Sequence, residues 1–426
     1  MAYPDTYYAR TIAETKARPS LSGRFDCDTL IVGGGLAGLT TALQLARAGR
    51  PVAVLESQSV GFGASGRNGG FVGPGFSARS DQIVLTAGDE AARKLHLLSI
   101  EGVDFVRDTT RDLSIDTAGP QAGVTHVVRY DDADALKGYV DDVARKYGYQ
   151  LEFLERDRVR SVLKSERYYQ GVRDARAFHI HPLNYLRGVA GEIERLGGKI
   201  FEHSPALACD LAGAEKIVRT ATGEARARNI VLATGGYTGA LVGQLKRAFL
   251  PIATYVMLSE AAPDLIREAI ATSDGVGDNR RAGDYYRVVD GGRRLLWGGR
   301  ITTRAASPAA LTRELRREMV TTYPQLAGLK TELAWSGLMS YARHLMPQIG
   351  LLQPGVWYCT AFGGHGLNTT AIGGKLIAEA ILGQSDRYRL FAPFGLDWAG
   401  GAAGLAVAQL TYWKLQAQDW WRERAA

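Results

Sequence analysis

The clearest pattern in the chain is a short apolar run, then a helical repeat, then a second apolar run. The first run covers residues 29–32 and is rich in branched side chains, which is typical of a buried strand. Apolar residues then recur at helical spacing, and Gly49 stands where such a helix ends. The second run covers residues 52–55 and is followed by Glu56. This order predicts two parallel strands joined by a right-handed crossover.

The rest of the chain predicts a second unit that interrupts the first. A helical repeat near residue 91 leads into short alternating segments with Asp and Gly turns, and later stretches hold Arg- and Gly-rich hairpins. Between and after these stretches the first pattern returns. We expect a first domain of residues 1–90, 151–240 and 345–426, with a C-terminal helix over about 405–424, and a second domain of residues 91–150 and 241–344 around an antiparallel sheet.

Composition and charge narrow the class of protein without identifying it. The 426 residues are 46% hydrophobic and 22% charged, which supplies a large core and argues against disorder. A formal net charge of +7 is mild for this length, so we expect no nucleic-acid partner. The three cysteines are far apart, which argues against a disulfide framework and a thiolate site, and we predict no metal. No secretion signal or membrane span is visible, so we expect a cytoplasmic protein.

The turn between the first strand and the first helix has the spacing of a dinucleotide-binding fingerprint, carried by Gly33, Gly35 and Gly38. These glycines let a pyrophosphate approach the start of the helix, where Leu36 and Ala37 belong to the same predicted site. Glu56 ends the next strand, where its carboxylate accepts hydrogen bonds from ribose hydroxyls and repels a 2′-phosphate. The fingerprint alone does not separate FAD from NAD.

Three further segments are predicted to hold the same cofactor. The loop GASGRNGG follows the second strand almost immediately, where an NAD-binding domain usually continues into another helix. Its backbone N–H groups and one arginine suit a further polar stretch of a long cofactor such as FAD. The predicted contacts in this loop and in two distant segments are Ser65, Gly66, Arg67, Asn68, Gly69 and Gly70; Ala233, Thr234 and Gly235; and Gly363, Gly364, His365, Gly366, Leu367, Asn368 and Thr369.

With these motifs the chain resembles the D-amino-acid-oxidase-type FAD-dependent oxidoreductases, and within that family the γ-glutamylputrescine oxidases. The resemblance covers nearly the whole chain and rests on Tyr7-Tyr8, GASGRNGG, HIHPLNY, DYYR with RLLWGGR, LMPQIG and FGGHGLNTT. It implies a mixed α/β fold with a Rossmann-like FAD-binding domain split in sequence and an inserted substrate domain built on an antiparallel sheet. The substrate is then expected between the two domains.

The resemblance also implies a reaction. Members of the family oxidise an amine carbon: a hydride leaves the C–H bond beside nitrogen for flavin N5, and water hydrolyses the resulting imine. Such a step needs a neutral and well-placed amine, so we expect orientation and desolvation rather than a catalytic triad. We expect a small amine of the γ-glutamylputrescine type as substrate and O2 as acceptor. The alternatives are a glycine- or sarcosine-type amino-acid oxidase, an amine dehydrogenase, a tRNA-modifying flavoprotein and a catalytically silent flavoprotein.

One departure from the family pattern bears on the substrate. In relatives that oxidise α-amino acids, an arginine ahead of the Pro-x-Ile-Gly segment holds the substrate carboxylate. Here Met339 stands at that position, which disfavours glycine and D-amino acids and favours an amine. Arg343 lies four residues later and is the candidate replacement if the register shifts.

The other catalytic candidates are two histidines and a tyrosine. His181 precedes a proline at a predicted helix start, so it is either a cavity residue or a helix cap. His365 lies in the loop expected near the flavin ring, where it is a partner for flavin or substrate. Tyr255, with Tyr285 and Trp297, is a candidate for an aromatic wall against the amine, or alternatively for ordinary core packing.

We expect the FAD to be bound without a covalent link. No cysteine lies in residues 337–347, where cysteinyl-flavin relatives carry theirs, and no histidine lies between Glu56 and Arg67. The basic, Trp-rich helix over 405–424 is expected to dock on its own domain or on a twin subunit, with contact to a membrane surface as the alternative. The oligomeric state is left open.

Overall fold

The computed structural model describes residues 3–280, 283–303 and 308–425, whose strands form two sheets. The strands are β1 Gly23–Val32, β2 Val52–Leu55, β3 Phe71–Val72, β4 Gln121–Val127, β5 Glu152–Leu154, β6 Gly171–His179, β7 Lys199–Phe201, β8 Ala208–Asp210, β9 Lys216–Arg219, β10 Gly223–Leu232, β11 Leu250–Ser259, β12 Gly275–Asp278, β13 Tyr285–Val289, β14 Arg294–Thr302, β15 Thr331–Tyr341, β16 Gln348–Gln353 and β17 Val356–Thr360. The helices are α1 Tyr7–Arg10, α2 Leu36–Arg47, α3 Ser80–Ala87, α4 Asp89–Asp112, α5 Ala133–Tyr147, α6 Arg156–Val162, α7 Pro182–Arg195, α8 Gly243–Arg247, α9 Pro263–Ala269, α10 Pro308–Thr322, α11 Gly366–Ile381 and α12 Gly401–Ala425.

The first sheet is the predicted parallel one. Its order is β16-β17-β10-β1-β2-β7, and the pairs β17–β10, β10–β1, β1–β2 and β2–β7 are parallel. Helices α2, α4, α7 and α11 contribute to a large apolar core that includes buried side chains of this sheet, such as Ile31 and Val54. Short runs of branched residues buried on both faces are what a parallel sheet requires, and they made β1 and β2 recognisable from the sequence.

The second sheet is antiparallel, as predicted, apart from one pair. Its order is β15-β11-β14-β13-β12-β4-β6-β3, with β5 on the side of β6, and β12–β4 is the parallel pair. One face of this sheet packs on α9, α10 and the adjacent turn through Tyr286, Trp297 and Leu315. Part of the other face packs on Tyr8 of α1 and Leu183 of α7, and the rest of it is left to line a site.

The sheets divide the chain differently from the predicted ranges. β3, β5 and β6 fall in the predicted first domain, but all three strands hydrogen-bond in the second sheet. Helix α4 falls in the predicted second domain, but it packs on α11, where Asn368 Nδ2 donates to Ser99 O at 3.1 Å. The partners in both cases are distant in sequence, so local patterns do not reveal them. The division into domains otherwise stays a prediction.

Helix α12 packs on the second sheet of its own chain, whereas the sequence predicted that it would dock on the first domain or on a twin subunit. It contacts β11 and β14, and Gln409 Oε1 accepts hydrogen bonds from Thr302 Oγ1 and from the Thr303 backbone, each at 3.1 Å. Near its end, Glu423 lies 3.6 Å from the buried Arg129 guanidinium. Trp420 and Trp421 remain exposed. None of the described helices is both long enough and apolar enough to cross a membrane.

Candidate active site

A cavity of about 1730 Å³ lies between the two sheets. This volume exceeds the roughly 300–1,000 Å³ of ordinary ligand pockets, which is what a dinucleotide together with a substrate requires. All four segments predicted to hold the cofactor contribute to its lining. Their lining residues are Gly33, Gly35, Leu36, Ala37, Glu56, Ser65, Arg67, Asn68, Gly69, Gly70, Ala233, Thr234, Gly235, Gly363, Gly364, His365, Gly366, Leu367 and Asn368.

The fingerprint glycines make room for backbone in three different ways. Gly33 has φ +117°, and a Cβ there would lie 2.5 Å from Ala233 O. Gly35 is the N-cap of α2, so the free N–H groups of that helix begin beside it. Gly38 does not line the cavity, because a Cβ on it would lie 2.1 Å from Gly33 O. Gly38 therefore allows the helix to pack closely on the strand. Gly33 and Gly35 instead shape the turn before α2, which lines the cavity and is called the cofactor cradle below.

Glu56 stands at the cavity end of β2, where the fingerprint predicts it. Its Oε2 accepts the Gly34 N–H at 2.8 Å and its Oε1 accepts the Gln58 N–H at 2.8 Å. Burial raises the pKa of the Glu56 carboxyl. Two backbone donors hold the carboxylate in place, and its remaining acceptor positions suit the hydroxyl groups of a ribose.

The loop 63–70 is held by hydrogen bonds to three successive backbone carbonyls. Trp335 Nε1 donates to Arg67 O at 2.9 Å, and the Tyr8 hydroxyl donates to Asn68 O at 2.7 Å. Arg287 Nε donates to Gly69 O at 2.7 Å, and Arg287 Nη2 donates to the Tyr8 hydroxyl. These donors come from α1 and from two strands of the second sheet, so the loop fixes the second sheet against the cofactor cradle.

The fit of an anionic cofactor is supported by an unpaired donor. Arg67 lines the cavity, and its Nε is buried without a hydrogen-bond partner in the described part of the chain. A buried donor of this kind costs stability unless a ligand or solvent satisfies it. Ser65 Oγ accepts the Leu36 N–H at 3.1 Å, which ties the loop to the start of α2. The residues present therefore suit a long anionic dinucleotide.

Two of the predicted cofactor residues play a supporting role instead. A Cβ on Gly66 would lie 2.2 Å from Gly61 O, so this glycine permits a tight turn behind the cavity. Thr369 lies in the first turn of α11, where its hydroxyl donates to His365 O. Neither residue lines the cavity.

The predicted catalytic residues separate into two groups. Met339 and His365 line the cavity, on β15 and at the N-cap of α11. Arg343 is exposed beyond the end of β15 and does not line it. His181 caps α7: its Nδ1 accepts the Asn184 N–H at 3.1 Å, and its Nε2 lies 3.0 Å from Thr11 Oγ1. The structure thus places His181 in the helix-cap role.

Tyr255 lies on the wrong face of its strand to meet a substrate. It is 1% exposed and packs with Trp297 and Tyr286 in the core on the far side of the second sheet. Because successive side chains of a strand point to opposite faces, Tyr285 faces the cavity while Tyr286 does not. Of the predicted aromatic wall, only Tyr285 lies at the site.

His126, which no sequence motif indicates, lies on the floor of the cavity. His126 of β4, Gly277 of β12, Tyr285 of β13 and Gly298 of β14 are successive partners across the second sheet. A Cβ on Gly277 would lie 3.1 Å from His126 Nδ1, and a Cβ on Gly298 would lie 2.1 Å from the Tyr285 ring. The glycines let both rings lie against the sheet. The sequence does not indicate this arrangement, because it depends on which residues of distant strands become partners, and that register is not a local property.

Two imidazoles near the floor are held neutral. His126 and His365 both line the cavity and are exposed to the space inside it, while protein atoms enclose them on their other sides. Burial lowers the pKa of His365 to about 4, with a smaller effect from His126. Burial likewise lowers the pKa of His126. At neutral pH the site therefore offers uncharged imidazole nitrogens that can donate or accept a hydrogen bond.

Together with this cavity, the comparisons with known proteins identify a FAD-dependent oxidoreductase that acts on amine or amino-acid C–N bonds. The family model described as "FAD dependent oxidoreductase" matches residues 28–380, and the chain belongs to that family. The gamma-glutamylputrescine oxidoreductase of Escherichia coli K12 is 33% identical over 392 residues, which are 92% of this chain and 92% of that protein. The glycine oxidase of Bacillus licheniformis is 24% identical and covers 84% of this chain and 93% of its own.

A solved structure shows the same fold. The glycine oxidase from Geobacillus kaustophilus superposes with a TM-score of 0.74 at 19% identity, over 88% of this chain and 99% of that one. The predicted family and the predicted mixed α/β fold, with a split FAD sheet and an antiparallel-rich second sheet, are confirmed. In the described residues, no group of three or more His, Cys, Asp or Glu side chains is arranged to hold a metal ion.

Proposed function

We propose that this protein oxidises a primary or secondary amine of the γ-glutamylputrescine type. The observation that carries the proposal is Met339, which places a thioether on the cavity wall at the position assigned by the family resemblance to a carboxylate-binding arginine. Arg343, the candidate replacement, is exposed outside the cavity. An apolar wall suits the methylene chain of an amine better than the carboxylate of an α-amino acid. The similarity to the gamma-glutamylputrescine oxidoreductase of Escherichia coli supports the same substrate class.

The cofactor-holding residues follow from the geometry. The N-terminus of α2 and the turn at Gly33 and Gly35 would hold the pyrophosphate, and Glu56 would hold the ribose. Arg67 and the backbone of the loop 63–70 would hold the polar groups of the flavin half. When bound, FAD supplies the acceptor for the two electrons and the proton of the C–H bond.

The chain itself orients and desolvates the amine. Tyr285, His126 and Met339 present apolar and weakly polar surfaces to the substrate side of the cavity. The lowered pKa values of His126 and His365 leave both imidazoles uncharged, so desolvation in the cavity, and not repulsion from a charged histidine, is what favours the neutral form of the substrate amine.

We propose noncovalent attachment of the FAD. Cys359 lines the cavity from β17, and burial raises the pKa of its thiol well above the ordinary value. A thiol held neutral is a poor nucleophile toward a flavin ring. Precipitation of the purified protein with trichloroacetic acid is expected to leave the flavin in the supernatant. Flavin that remains in the pellet would contradict this proposal.

The substrate class is tested by anaerobic reduction of the purified yellow protein. γ-Glutamylputrescine is expected to bleach the flavin absorbance, whereas glycine and D-alanine are not. Admission of air then distinguishes an oxidase, whose colour returns rapidly, from a dehydrogenase, whose colour does not. Bleaching by amino acids in preference to amines would overturn the assignment of Met339 and point to an amino-acid oxidase.

A further inference from the structure

The cavity has a second lobe, away from the cofactor fingerprint, between the second sheet and helices α4 and α5. Aromatic and aliphatic side chains make up most of its wall, and one buried carboxylate lies among them. That carboxylate belongs to Asp174 of β6, which is 6% exposed. The other side chains that line the lobe are His96, Val124, Leu136, Tyr139, Val143, Tyr147, Tyr149, Leu151 and Val172.

Asp174 is firmly held, and one of its oxygens has acceptor capacity left. Its Oδ1 accepts the backbone N–H groups of Arg176 and Ala177 and the Tyr149 hydroxyl, each at 2.9 Å. Its Oδ2 accepts only the same Tyr149 hydroxyl, at 2.8 Å, among the described residues. A carboxylate oxygen has two lone-pair directions, so Oδ2 can accept another donor from the cavity.

The negative charge of Asp174 has no ion-pair partner in the described part of the chain. The arginines close to it are engaged by other carboxylates. Arg173 pairs with Asp274 at 2.8 Å, and Arg176 pairs with Asp104 at 2.9 Å. A buried carboxylate without a cation is costly, and a cationic ligand would supply the missing partner.

We propose that Asp174 and Tyr149 form a subsite for an ammonium group at the far end of an extended amine substrate. The inference rests on the proposed function and deepens it: the protein would select amines that carry a second, distant cationic nitrogen. The Tyr139 ring lines the lobe and adds a surface that attracts an ammonium group, whereas the Tyr147 ring stacks on His96 and the Tyr149 ring lies against the Arg176 guanidinium. The α-amino group of a γ-glutamyl amide has this chemistry.

The register of the second sheet connects this subsite to the substrate region. Val124 pairs with Asp174 and His126 pairs with Val172, so His126 and Asp174 lie diagonally on the same face. Diagonal neighbours of this kind are about 7–8 Å apart. Tyr285 lies two strands beyond His126, which adds about 10 Å.

The length of the substrate agrees with this spacing. Ten bonds separate the terminal amine of γ-glutamylputrescine from its α-amino nitrogen. An extended chain covers about 3.3–3.6 Å per three bonds, so the two nitrogens are about 12 Å apart. A reacting amine above His126 and Tyr285 would thus place the distal ammonium near Asp174.

The test compares two substrates that differ only in the distal nitrogen. γ-Glutamylputrescine carries the α-amino group, and N-glutarylputrescine has the same chain without it. We expect the wild-type protein to prefer the first by about 10- to 100-fold in kcat/KM, the range of a hydrogen bond to a charged group. Asp174→Asn is expected to remove the preference, so that kcat/KM becomes the same for the two substrates, with the FAD content retained. Tyr149→Phe is expected to reduce the preference partially.

The outcomes separate the subsite from the proposed function. Equal kcat/KM for the two substrates in the wild-type protein would overturn the subsite and leave the amine oxidation standing, and this comparison needs no variant to fold. Retention of the preference in Asp174→Asn would also overturn the subsite. Flavin reduction by neither compound would overturn the proposed function, and the subsite with it.

Discussion

Gly35 matters more to a ligand than to the helix it caps. An aspartate at this N-cap is a good cap for α2, so Gly35→Asp is expected to fold. Its carboxylate would lie beside the helix N–H groups where the pyrophosphate is expected, and the two negative charges repel. We expect purified Gly35→Asp to carry little or no flavin, as judged by its visible absorbance. A fully yellow variant would contradict the cofactor site.

Gly191 offers a matched control for that substitution. It lies on an exposed part of α7, where an added Cβ meets no atom within 4 Å. Gly191→Asp introduces the same charge on a helix of the same core without approaching the cavity. It is expected to retain full flavin content.

Tyr8 supports the cofactor loop through a single hydroxyl group. The hydroxyl donates to Asn68 O and accepts from Arg287; Tyr8 and Arg287 are buried, and Asn68 is half-buried. Tyr8→Phe leaves a carbonyl and a guanidinium N–H without this partner, which costs about 1–3 kcal/mol of unfolding free energy. We expect lower stability in urea and weaker FAD retention. Tyr388→Phe, whose hydroxyl makes no hydrogen bond in the described residues, is expected to change neither, and a stable Tyr8→Phe would refute the supporting role.

At the residue scale, the sequence predicts the roles of residues that belong to one local motif. The roles of Gly33, Gly35 and Glu56 follow from one strand–turn–helix unit, since the chemistry and the geometry lie within 24 residues of each other. His126 and Asp174 were not foreseen, because their importance depends on which strands become neighbours. No spacing in one sequence contains that information.

At the scale of elements, the antiparallel pairing of the second sheet can be predicted from the sequence, but the face that each of its side chains occupies cannot. Its antiparallel character was predicted from the hairpins, but the side of each strand that faces the cavity was not. The sequence groups Tyr255 and Trp297 with Tyr285 as one aromatic wall. In the sheet, Tyr255 and Trp297 lie on the face away from the cavity, whereas Tyr285 lies on the face that lines it, because side chains alternate along each strand. The outer face is covered by α9 and α10, so a large aromatic residue is as much at home there as at the site.

Helix α12 borders the substrate side of the cavity rather than the cofactor cradle. Leu415 lines the cavity, and Gln409 ties the helix to the end of β14. A chain that ends before residue 401 is expected to keep its FAD but to raise KM for the amine by about tenfold, because the loss of one wall costs roughly one side chain's burial. Flavin content and steady-state kinetics check this. Trp421→Ala, on the exposed side, is the control and should leave KM unchanged.

At the scale of the whole molecule, both sheets contribute to a single cavity. The chain passes from the first sheet to the second and back several times, so neither sheet has a continuous sequence of its own. The predicted division contains this interruption but misses the membership of β3, β5 and β6, because a boundary near residue 180 cannot be seen without the partners of β6. Segments from residue 33 to residue 368 line this cavity, so a single long cofactor bound there would draw on parts of the chain that are far apart in sequence.

The stability of the folded protein depends on pH through a buried histidine, His179. His179 is 1% exposed at the end of β6. Its Nδ1 lies 3.0 Å from Arg287 Nη1 and its Nε2 lies 2.9 Å from Ser273 O. Burial, with the nearby Arg287 charge, lowers the pKa of His179 from 6.5 to about 3. A second proton on this ring would be placed against a guanidinium group.

The sign of the pH effect follows from that lowered pKa. The unfolded chain binds the proton near pH 6.5 and the folded chain only near 3, so stability is full above 6.5 and is lost as the pH falls between these values. Between pH 7 and pH 5 the loss from His179 is about 2 kcal/mol. His179→Gln is expected to be less stable at pH 7, yet to lose about 2 kcal/mol less on acidification, as measured by urea unfolding. Ile31→Val, a buried change without a titrating group, should lower the curves at both pH values equally. An unchanged pH dependence in His179→Gln would show that the ring is not held neutral by burial.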